Sequence, residues 1–140
     1  MTTTVAEQVA QTLTDENVQD IINVAAYGGI TYWALEPTCA ERAGMPSDKQ
    51  YIIVEGDDER FWGGDREVEA VHYLSRDQIR AAYARVLDLN QQYVNREYHG
   101  YVIQSWIDRN DKGGIDTCMI DAGTADILVQ IAIFDDVRYS

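Results

Sequence analysis

Apolar residues recur along this chain in two rhythms, and the switches between them mark its elements. Val5, Val9 and Leu13 fall at helical spacing and predict a short helix over residues 4–13. Val18, Ile21, Ile22 and Ala25 predict a second helix over 15–26, with Thr14 as its cap, acids in its first turn and Gly28-Gly29 as its stop. The β-branched and aromatic run from Ile30 to Glu36 then reads as a strand ending at Pro37. Residues 38–50 read as a loop. Tyr51 to Glu55 and Glu67 to Tyr73 predict two further strands, and three short strands in succession favour an antiparallel meander.

Helical spacing returns after residue 74. Ser75-Arg76-Asp77-Gln78 has the form of a capping box, and Ile79, Tyr83, Val86 and Tyr93 carry an apolar face to about residue 94. Tyr98 to Asn110 predicts another helix, closed by Gly113-Gly114. The last helix, Ala122 to Phe134, is apolar nearly all round, which predicts a central, buried position. Residues 135–140 read as a short strand on the sheet edge. The expected fold is α+β: one domain over 1–140, with a small, mostly antiparallel sheet of three or four strands packed by four or five helices.

Charge changes this picture more than size does. Against 24 Asp and Glu stand 11 Lys and Arg, a net charge of −13. Small domains usually carry a magnitude of about 2 to 8. Such a field disfavours direct nucleic-acid and anionic-lipid binding. Lys49 and Lys112 are the sole lysines, so the positive charge is almost entirely arginine, whose planar fork suits a local anion site. No run approaches the roughly 18 apolar residues of a membrane span, and no export signal precedes the first helix, so a cytoplasmic location with Cys39 and Cys118 reduced is expected.

Catalytic and metal-binding patterns are wanting. Asp108, Asn110, Gly113 and Asp116 imitate part of a calcium loop, but Lys112 and Met119 occupy two of its ligand positions. His72 and His99 lack zinc spacing, and the three diglycines lack phosphate-loop spacing. The expectation is a binding module with no cofactor, no metal and no catalytic residue. The suggestive cluster is aromatic and basic: Tyr32 and Trp33 beside the first diglycine, and Arg60, Trp62 and Arg66 around the second. Stacking rings and bidentate guanidinium groups make these five a candidate nucleotide pocket. Their alternative is a core position for Tyr32 or Trp33 and a hairpin tip or oligomer contact at Phe61-Trp62.

Two blocks carry a family likeness. Gly28-Gly29-Ile30-Thr31-Tyr32-Trp33 and Asp121-Ala122-Gly123-Thr124-Ala125-Asp126 resemble the Gly-Gly-x-x-Tyr-Trp and Asp-Ala-Gly-x-Ala-Asp segments of a widespread set of small acidic phage and mobile-element proteins. Residues 38–70 lie outside the likeness. It implies a viral origin and an anti-defence role in the host cytoplasm. One implied class is a homo-oligomeric sponge of the anti-CBASS type, which sequesters a cyclic nucleotide signal without cleaving it. The other is an acidic DNA mimic or protein-binding inhibitor of a basic host nuclease, of the anti-restriction or anti-CRISPR type.

Overall fold

The computed structural model describes residues 4–140, so the first three residues of the expected domain lie outside the description. The fold is α+β, with six α-helices and a three-stranded antiparallel sheet among the described residues. Helix α1 (Val5–Thr12) begins at Thr4, whose hydroxyl accepts from the Glu7 N–H. Helix α2 (Asp15–Val24) begins at Thr14, where Thr14 and Asn17 exchange side-chain-to-backbone bonds as a capping box. Asn17 is itself buried and reaches across to the Gly113 carbonyl and the Ile115 N–H, pinning the second half of the chain to the first.

The expected first strand is mostly something else. Beyond α2 the chain forms a π-helical turn over Ala25–Gly29, and Ile30 N–H reaches back five residues to the Ala25 carbonyl. A further turn at Ile30 follows, so that β1 keeps only Ala34–Leu35. Propensity favoured extended backbone here, but packing of Gly29 against the last helix overrides it. The expected loop likewise contains a short helix α3 (Cys39–Ala43), capped by Thr38 and Glu41.

Strands β2 (Tyr51–Asp58) and β3 (Arg66–Leu74) form a hairpin longer than the alternation suggested, with β2 in the middle of the sheet. A bulge interrupts it where Glu55 pairs with Ala70 and Gly56 with Val68, leaving Glu69 as the extra residue. A Cβ on Gly56 would lie 2.1 Å from the Glu67 carbonyl oxygen, so the bulge requires glycine.

Helix α4 (Arg76–Leu87) starts at the Ser75/Gln78 capping box and stops well short of residue 94. The reason is local: the Asp88 carboxylate accepts from Asn90 N–H, and Gln91 accepts from Tyr93 and Val94 N–H, which closes turns in place of helix. Helix α5 (Arg96–Ile107) is capped by Asn95. Helix α6 (Ala122–Phe134) is capped by Asp121 and runs through one continuous core, touching α2, α4, α5, the π-helical turn and β3. Leu128, Val129 and Ile131 are wholly buried, as the apolar pattern predicted. No helix among the described residues is long and apolar enough to cross a membrane. Residues 135–140 form no strand and instead fold back along α6.

Candidate functional site

The two motif blocks meet. The π-helical turn presses Gly29 so closely onto the start of α6 that a Cβ there would sit 2.5 Å from the Ala122 carbonyl oxygen. The following turn aims both Tyr32 and Trp33 at one carboxylate on α6. The Tyr32 hydroxyl donates to Asp126 Oδ2 at 2.6 Å, and Trp33 Nε1 donates to Asp126 Oδ1 at 2.8 Å. One helical turn on, Gln130 Nε2 donates to Oδ1 at 2.9 Å. Asp126 is 7% exposed, yet all three donors are neutral, and no Lys, Arg or His lies within ion-pair distance of it among the described residues. Burial and the bond to Asp126 push the Tyr32 phenol well above its ordinary range.

Gln130 also holds the C-terminal segment. Its Oε1 accepts from the N–H groups of Arg138 and Tyr139 at 2.8 and 2.7 Å, and its Nε2 donates to the Tyr139 carbonyl at 3.0 Å. The Tyr139 ring then stacks on Trp33, with centroids 5.2 Å apart and planes 5° from parallel. Its hydroxyl donates to Glu55 Oε2, while Glu55 Oε1 lies 2.9 Å from His72 Nε2. Glu55 is almost fully buried. Burial pushes its carboxyl upward, but the Tyr139 and His72 bonds and the Arg138 charge outweigh this, and it lies below the usual carboxylate range. The same bond pushes the Tyr139 phenol up to about 12.

Between the π-helical turn, the segment leading into α5, the first turn of α6 and the C-terminal segment opens a cleft of about 610 Å³. Tyr32, Tyr93, Tyr98 and Tyr139 line it, with Asn95 and Asp126 as polar groups. Among the described residues no Lys, Arg or His does. The volume suits a small molecule, since ligand pockets run from about 300 to 1,000 Å³.

The five residues expected to form one pocket are divided between two places. Tyr32 lines the cleft, whereas Trp33 is buried beneath Tyr139 and acts on the cleft through Asp126. Arg60 and Trp62 form a 3₁₀ turn at the tip of the β2–β3 hairpin, and Arg66 begins β3. Arg60 clasps Asp58 through two side-chain bonds of 2.9 and 2.7 Å, holding that carboxyl down to about 2. Arg66 clasps Glu41 at 2.7 and 3.2 Å, with the same effect on Glu41, and donates to the Glu36 carbonyl. Both guanidinium groups are thus paired to carboxylates, Arg60 with its side chain 63% exposed and Arg66 with its side chain 14% exposed. Phe61 and Trp62 pack edge to face and are 86% and 81% exposed.

Asp126, Gln130, Tyr93, Tyr98 and Tyr139 were missed as site residues. Asp126 and Gln130 did leave a signal, being two polar residues four apart on one face of a mostly apolar helix. Among the described residues no three His, Cys, Asp or Glu side chains cluster as a metal site, and Cys39 and Cys118 are free and exposed. Compared with protein-family models, curated proteins and solved structures, the chain matches none of them.

Proposed function

We propose that this chain is a non-enzymatic inhibitory module, of the phage or mobile-element kind its two motif blocks resemble, that docks on a basic host defence protein such as a nuclease. One observation carries the reading: an exposed aromatic pair at the tip of an acidic β-hairpin. Asp57, Asp58, Glu59, Asp65, Glu67 and Glu69 flank Phe61 and Trp62 along the hairpin, and the two arginines nearby are already paired to carboxylates. Exposed tryptophan on a rigid element is the typical anchor of a protein interface, and a rim of one sign steers a partner of the other. Two copies of this hairpin repel each other, so a basic partner suits it better than self-association.

Sequestration of a nucleotide stands second. The tyrosines of the cleft favour it, because ring faces stack on bases, whereas Arg60 and Arg66 lie away from that cleft and are paired to carboxylates. The test is surface plasmon resonance against purified DNA-cleaving defence nucleases. Binding is expected to weaken at least tenfold between about 0.05 and 0.5 M salt, as exposed charges are screened, and to compete with DNA. Trp62→Ala should abolish it without changing the unfolding midpoint. Binding that ignores both salt and Trp62→Ala refutes the docking face, as does a dimer in light scattering that Trp62→Ala dissociates.

A further inference from the structure

The cleft between the motif blocks has a chemistry of its own, independent of the hairpin. In its lining lies Asp126, more than nine-tenths buried and acceptor to all three of its partners. A buried carboxylate without a counter-charge is costly, and three neutral donors offset only part of that cost. Four tyrosines, Tyr32, Tyr93, Tyr98 and Tyr139, line the same cleft. Aromatic faces attract cations, most strongly where water is excluded. We propose that the cleft is a receptor for a small organic cation with an alkylated ammonium head, caged by these tyrosines and neutralised by Asp126.

Charge excludes the opposite ligand. Among the described residues no cationic side chain lines the cleft to meet a phosphate, and Arg85, over the Tyr93 ring, is paired to Asp135. The start of α6 also faces it, at Ala122 and Gly123, but that helix end is already served by the Asp121 carboxylate, which accepts from the Thr124 N–H and hydroxyl. An anion would therefore meet the Asp126 carboxylate, whereas a cation meets that carboxylate favourably. An alkylated head also suits the surroundings better than a primary ammonium, because Asp126 has most of its acceptor capacity taken; Tyr139 already stacks on Trp33 and Tyr93 already carries the Arg85 guanidinium 5.0 Å from its ring centroid, so Tyr32 and Tyr98 form the principal part of the cage.

Calorimetric titration with choline, with its neutral isostere 3,3-dimethylbutan-1-ol, and with 3′,3′-cyclic GMP-AMP tests this. Choline should saturate one site and bind at least about tenfold tighter than the neutral alcohol, the margin expected of cation–π contacts and a buried counter-charge together. The cyclic dinucleotide should not bind. Asp126→Asn should erase the preference for choline over the alcohol. Tyr98→Leu takes no part in the bonds to Asp126, so it should leave the protein folded while weakening choline several-fold, which guards against a misfolded Asp126 variant. Equal binding of choline and the alcohol overturns the proposal, as does absence of choline binding by the folded wild-type protein. Tight binding of the cyclic dinucleotide overturns it too and restores the cleft to a nucleotide.

Discussion

Replacing Gln130 by leucine removes the one side chain that joins helix α6, the Asp126 carboxylate and the C-terminal segment. The side chain is fully buried and makes four bonds of 3.0 Å or shorter. Three of them go to backbone groups of Arg138 and Tyr139, which can meet water once the segment lifts, so each is worth only about 1 kcal/mol net. The fourth goes to a buried carboxylate and is worth roughly 1.5 to 3 kcal/mol. Leucine has similar bulk and gains some apolar burial, which offsets part of the loss, leaving an expected destabilisation of about 3 kcal/mol. For a domain of this size that lowers the thermal midpoint by roughly 10 °C. Urea denaturation read by far-ultraviolet circular dichroism measures the first quantity, and amide hydrogen exchange at Arg138 and Tyr139 reports whether the segment has lifted. A loss below about 1 kcal/mol, with those amides still protected, refutes the claim that Gln130 holds the segment down.

Two further outcomes follow from the same region. Gly29→Ala should destabilise by at least about 1 kcal/mol, because the new Cβ meets the Ala122 carbonyl, whereas a Cβ on Gly28 meets nothing within 4 Å and Gly28→Ala should be nearly silent; equal effects in parallel urea titrations refute the close approach. Glu55 is held below its ordinary value of 4.5, so its contribution is complete above that pH and is lost as pH falls through the depressed value; Glu41 and Asp58, at about 2, act in the same sense. Stability should therefore decline progressively below pH 4.5, and Glu55→Gln should flatten that decline; an unchanged acid limb shows that the Tyr139 and His72 bonds do not hold Glu55 ionised.

What the sequence disclosed was whatever is decided locally. The Ser75/Gln78 box, the Thr14 and Asp121 caps and the all-round apolar character of α6 rest on neighbours within a turn or two, and each appears as expected. The π-helical turn was hidden because its cause is a contact with Ala122, far away in sequence. The over-long reading of α4 has a different origin: apolar spacing continued through Tyr93, but Asp88 and Gln91 turned their side chains onto the backbone. The arginines misled for a third reason. Guanidinium groups at 60 and 66 suggested an anion site, and pairing with Asp58 and Glu41 could not be told from pairing with a ligand. Two motif blocks nearly a hundred residues apart turned out to share a carboxylate, a link no local pattern could supply.

Gln130 grips the C-terminal segment by its backbone N–H and C=O groups, and side-chain identity at 138 does not enter those bonds. The grip therefore fixes a path and a spacing. Tyr139 must also arrive at the right depth to lie flat on Trp33 and reach Glu55. Across diverging relatives, an insertion or deletion of even one residue between α6 and Tyr139 would then misplace the ring. Length, which in most surface segments is the most readily altered property, becomes in this one the quantity under selection.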